Sequence, residues 1–71
     1  MKKIYIRDEF IKLGQAMKLS GLVSSGSDAK ALIEEGEVFV NGEVCTMRGK
    51  KLRPGDVFSF MDDQVEVCAG E

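Results

Sequence analysis

Apolar and polar positions follow two different rhythms along this chain, and the changes of rhythm mark its elements. Lys3 to Ile6 alternates residue by residue, with Ile4 and Ile6 on one side and Tyr5 on the other, which predicts a short edge or capping strand. From Phe10 to Leu19 the spacing becomes helical: Phe10, Leu13, Ala16 and Met17 form one apolar stripe, and Lys12, Gln15 and Lys18 lie off it. Gly14 weakens that segment by about 1 kcal/mol against Ala. Ser20 to Ser24 turns the chain, with Leu22 and Val23 reaching back toward the core. A second helix begins at Gly26 to Asp28, because Ser25 and Asp28 have the spacing of a capping box, with Ser27 as an alternative cap. Ala29, Leu32 and Ile33 give its buried stripe, and Gly36 stands where a left-handed residue closes a helix.

The second half is strand-like. Glu37 to Val40 runs into Asn41-Gly42, whose two residues tolerate the positive φ angles of a type I′ hairpin turn, and Val44 to Thr46 returns. Counting from the turn, Val40 faces Glu43, Phe39 faces Val44 and Val38 faces Cys45. Further on, Val57 to Met61 and Gln64 to Cys68 read as two strands around Asp62-Asp63, with Phe58, Phe60, Val65 and Val67 on one face. Between these two hairpins lies a run of four cations in six positions, Arg48, Lys50, Lys51 and Arg53, with Leu52 as its single core anchor. Pro54-Gly55 then forms the centre of a type II turn.

Charge changes the picture. The formal net charge of −2 argues against a nucleic-acid partner, but its distribution does not. Residues 1–20 carry +3, residues 21–47 carry −4, residues 48–53 carry +4 without an acid, and residues 54–71 carry −5. Exposed charges are screened beyond roughly 8–10 Å at ordinary salt, so a local cationic patch acts on phosphate although the molecule as a whole is acidic.

The order of these motifs resembles a known family. Leu19-Ser20-Gly21-Leu22-Val23 joins the two helices; Ala29-Lys30 through Leu32-Ile33, Gly36, Val38 and Val40-Asn41-Gly42 runs through the second helix and hairpin; Arg53-Pro54-Gly55-Asp56-Val57 enters the next strand. Together they resemble the small RNA-binding domain named after the fourth protein of the small ribosomal subunit, the S-four domain or αL motif, over residues 13–60. Leu13-Gly14-Gln15, Lys18-Leu19 and Arg48-Gly49-Lys50-Lys51-Leu52 are similar to the free-standing bacterial, ribosome-associated members. The chain departs from the family pattern at Leu13-Gly14-Gln15, where many members have Arg-Leu-Asp, and at Ser25-Gly26, where many have Ser-Arg.

The resemblance implies an α+β fold, with two short N-terminal helices on a small, mainly antiparallel sheet of about four to five strands. It also implies an RNA face built from the two helices and the loop after the hairpin. Carried onto this chain, that face comprises Lys18, Lys30, Arg48, Lys50, Lys51 and Arg53, with Gln15 beside them and Ser25 and Ser27 offering a helix N-terminus to phosphate. Contact with backbone and shape is expected, with little base readout, since Phe10, Phe58 and Phe60 are assigned to the core and only Tyr5 and Phe39 are left for stacking.

At 71 residues the chain is expected to be one domain, 1–71, acting as a monomer. It has no histidine, and no nucleophile elbow or phosphate-cradling loop; no enzyme, cofactor or metal is expected. Cys45 and Cys68 are read as small buried hydrophobes or reduced surface thiols. No run approaches the roughly 18 apolar residues of a membrane span, and Arg7-Asp8-Glu9 interrupts the N-terminus where a signal peptide would stay apolar, so a cytoplasmic location is expected. The leading expectation is a non-enzymatic protein that docks on structured RNA, ribosomal RNA above all, in ribosome assembly or association. The rival readings are an adaptor whose acidic sides meet a basic partner such as a ribosomal protein, and a subunit that recruits an RNA-processing enzyme.

Overall fold

Local signals place the second helix and its hairpin. In the computed structural model, which describes residues 1–70, helix α2 spans Gly26–Glu34. The Ser25 hydroxyl accepts from the Asp28 N–H at 3.2 Å, the capping contact the spacing predicts. The reciprocal half differs: the Asp28 carboxylate accepts from the Ser24 hydroxyl, at 3.3 Å. At the other end Gly36 adopts φ +80°, while Gly36 and Glu37 donate to Ile33 and Leu32. These two bonds are the pair of a Schellman motif and satisfy carbonyls the helix leaves unpaired.

Strand β3 (Val38–Val40) and strand β4 (Glu43–Val44) follow, turning through Asn41 at φ +51° and Gly42 at φ +87°. Their register, Phe39 opposite Val44 and Val40 opposite Glu43, is the expected one, but β4 stops before Cys45 and Thr46. Cys45 still donates its N–H to Val38, after which the chain leaves the ladder for the cationic loop.

Strand β6 (Val57–Phe60) pairs antiparallel with β3 and with β7 (Asp63–Ala69). The β6–β7 turn is centred on Met61-Asp62, not on Asp62-Asp63, and Met61 takes φ +56°. Adjacent acids were the stronger local turn signal, yet the register chosen places Phe58 opposite Val65. The two registers differ by an even number of residues, so the face shared by Phe58, Phe60, Val65 and Val67 is unchanged.

Strand β1 (Lys2–Ile6) lies at the sheet edge as expected, parallel to β7, giving the order β1-β7-β6-β3-β4. The fold is thus α+β, with a mainly antiparallel five-stranded sheet. One face of it, carrying Ile4, Val38, Phe58, Val65 and Val67, is covered by the helices through Leu13, Ala16, Met17, Ala29 and Ile33. Burying each large side chain contributes roughly 1.5–3 kcal/mol against an exposed one.

The first helix starts later than its periodicity predicts. α1 spans Leu13–Ser20, and Ile11–Lys12 instead form a short strand, β2, paired antiparallel with β5 (Lys51–Leu52) in a second, two-stranded sheet. Phe10 therefore lies off the helix, half-buried and outside the core. Lys12 precedes the helix in an extended conformation and supplies no side-chain cap. The caps come from the backbone of the cationic loop: Leu13 donates to the Lys50 carbonyl at 2.9 Å and Gly14 to the Arg48 carbonyl at 3.0 Å.

Candidate nucleic-acid interface

Three features hold the cationic loop in place. Its carbonyls are bonded to the first turn of α1, Leu52 is fully buried between strands and helices, and its far end is tied to the hairpin. At that end Asp56 accepts from the Arg53 N–H at 2.8 Å and from the Asn41 amide at 3.1 Å, while Asn41 Oδ1 accepts from Val57 at 3.0 Å. Gly55 at φ +102°, after Pro54, gives the expected type II turn, closed by Asp56 N–H to the Arg53 carbonyl. At its near end, Lys50 N–H bonds to the Met47 carbonyl, so Arg48 and Gly49 form the tip of a tight turn.

That turn makes one wall of a cleft of about 360 Å³ lined by Lys12, Gly14, Gln15, Lys18, Gly26, Arg48 and Gly49. Three lining residues are cationic and none is acidic. Gln15 and Lys18 stand on successive turns of α1, while Gly26 opens α2 opposite them. An ideal Cβ built on Gly26 meets nothing within 4 Å, which leaves the cleft open on that side. The β2–β5 pairing also sets Lys12 directly across from Lys51. Like charges directly opposite in a ladder repel, and Lys51 avoids that cost by turning its ammonium away over the Phe10 ring.

The cations singled out from the sequence are distributed unequally around this cleft. Lys18, Arg48 and Gln15 line it. Lys30 lies four residues along α2 from Gly26, about 6 Å further up the helix, and is exposed but not among the residues lining the cleft. Lys51 turns aside, its Nζ 4.9 Å from the centre of the Phe10 ring, a cation–π contact. Lys50 lines a separate hollow against the hairpin, and Arg53 belongs to the turn held by Asp56. Ser25 is engaged in its own cap and Ser27 is exposed; Asp28 already places negative charge at that helix start. Lys12 was absent from the residues singled out in the sequence, although Gln15 and Lys18 of the same expected helix were among them. Its signal emerges only once Ile11 and Leu52 are known to pair.

Comparison with known proteins gives the family. The sequence profile described as the S4 domain matches residues 4–68, and the chain belongs to the S4 domain family. It is 48% identical over 54 residues to the "Probable ribosome maturation protein RlbA" of Bacillus subtilis, an overlap covering 76% of each chain. It is 39% identical over 59 residues to the "Putative RNA-binding protein YbcJ" of Escherichia coli, covering 83% of this chain and 84% of that one. A 42-residue stretch is also 48% identical to part of a tyrosine–tRNA ligase from Nitrosomonas europaea, but spans only 10% of that enzyme. No helix of the described residues is long and apolar enough to cross a membrane.

Proposed function

We propose that the protein binds structured RNA through the cleft between α1, the start of α2 and the Arg48–Arg53 loop, as a non-catalytic factor acting on ribosomal RNA during subunit maturation. One observation carries this reading: Lys12, Lys18 and Arg48, drawn from three separate elements, line one open cleft without an acid among its lining residues. The relatives named for ribosome maturation and RNA binding support it. Cations held on a rigid backbone meet the phosphates of a folded strand at fixed spacing, and each contact releases counterions to solution.

Gly26 provides the test. Its position is open, and an Arg there adds a fourth cation to the cleft without displacing another group. Gly26→Arg should tighten binding to ribosomal RNA fragments several-fold at about 0.1 M salt and steepen the dependence of log K on log salt by roughly 0.7–0.9. Fluorescence anisotropy at four or five salt concentrations reads both quantities. An unchanged affinity and slope in a folded Gly26→Arg protein would place the RNA elsewhere.

A second surface favours a protein partner alongside RNA. Phe39, 38% exposed, and Val44, 54% exposed, face each other across β3 and β4, flanked by the exposed acids Glu37 and Glu43. Apolar surface rimmed by acid suits a basic ribosomal protein.

A further inference from the structure

A second hollow, of about 540 Å³, lies between the end of β1 and α1. Tyr5, Phe10 and Leu19 contribute its apolar lining, and Arg7, Gln15 and Lys18 its basic and amide lining. Tyr5 is 63% exposed and Leu19 57% exposed, so neither is accounted for by the core. Phe10, displaced from the helix by the β2–β5 pairing, is held at the hollow's wall with Lys51 over its ring. Gln15 and Lys18 line both this hollow and the cationic cleft, so the two form one continuous surface.

We propose that this hollow receives an unpaired nucleobase of the RNA whose backbone occupies the cationic cleft. The inference rests on the RNA-binding reading and adds a class of target to it: folded RNA with a bulged or looped-out nucleotide beside a stem. Unstacked bases present flat π faces that pack on aromatic side chains whatever their identity, and folded RNA exposes them at loops and bulges. Tyr5 and Phe10 supply such surfaces, while Arg7 and Lys18 stand where the flanking phosphates must pass. Asp8, the single acid on the lining, and Gln15 offer an acceptor and an amide to the edge of the base. Two cations against one acid favour a phosphate-linked ligand over an apolar peptide.

Tyr5 is the only tyrosine and the chain has no tryptophan, so tyrosine emission reports on this hollow alone. The experiment titrates the full chain with two RNAs of the same paired sequence, one carrying a single-nucleotide bulge and one fully paired. Both RNAs should bind, and only the bulged one should quench Tyr5 emission saturably. Tyr5→Ala should weaken the bulged complex by roughly 5- to 100-fold and leave the paired one unchanged. Equal quenching by both RNAs, no quenching by the bulged one, or undiminished affinity of Tyr5→Ala for it would overturn the nucleobase site while leaving RNA binding intact. Failure of both RNAs to bind would overturn the RNA-binding reading and the nucleobase site with it.

Discussion

Replacing Lys12, Lys18 and Arg48 together with Ala should lower affinity for structured RNA on the order of 100-fold at about 0.1 M salt, and reduce the salt slope by roughly 2–3. Each phosphate contact contributes close to one unit of slope, so three lost contacts shift both quantities together. The side chains replaced are exposed, and surface substitutions of this kind change stability by about 0.5 kcal/mol or less each. A thermal melt of the variant should therefore stay within about 10 °C of the parent's and remain a single cooperative transition. The informative comparison is a Lys50→Ala, Arg53→Ala variant, which removes charge from the same loop but outside the cleft. It should weaken binding by less than about tenfold. If removing loop charge outside the cleft costs as much as removing it inside, then diffuse attraction to a basic segment, and not the cleft, holds the RNA.

Leu52→Ala should lower the melting temperature by about 10–25 °C, from a loss of roughly 2–5 kcal/mol. Leu52 is fully buried, and the surrounding side chains come from several elements that cannot all collapse into the space it leaves. A domain of this size has on the order of 4–10 kcal/mol of stability in total, so the loss is a large fraction of it. Function should suffer beyond stability. Leu52 pairs with Ile11 and fixes the loop whose carbonyls cap α1, so a loosened loop uncouples Arg48 from Lys12 and Lys18. Leu19→Ala, at an exposed site, should leave the melting temperature within a few degrees of the parent. Differential scanning calorimetry of the two variants separates these outcomes.

What the sequence made legible was local. The α2 cap at Ser25, the Gly36 terminator, the Asn41-Gly42 hairpin and the Pro54-Gly55 turn are each specified by residues within a few positions of one another, and each forms as expected. Leu52 stood out because it is the one apolar residue in a cationic run, and it is buried. What was not legible depended on partners distant in the chain. The start of α1 is set by carbonyls of Lys50 and Arg48, and no residue near Phe10 announces that capping. The assignment of Phe10 to the core failed for the same reason, since Ile11 is drawn into a ladder with Leu52. At Met61 the chain accepts a left-handed φ on a residue poorly suited to it, and no local signal marks that turn in the sequence.

The site followed the same division. A run of charge is visible in any sequence, but its members diverge here: Arg48 faces the cleft, Lys51 stacks on Phe10 and Lys50 looks toward the hairpin. Lys12, which completes the cleft, carried no separate signal. The aromatic hollow at Tyr5 and Phe10 was hidden by the reading of Phe10 as core, which also led to the expectation of little base readout.

The most direct measurement is a titration of the isotopically labelled protein with a ribosomal RNA stem, followed through its backbone amide resonances. Binding in the cleft shifts the amides of Lys12, Gly14, Gln15, Lys18, Gly26, Arg48 and Gly49 in concert, and leaves those of Glu37 to Val44 where they were. Shifts concentrated on the Phe39–Val44 hairpin, with the cleft amides unmoved, would contradict it and assign the recognition surface to the acidic side of the sheet.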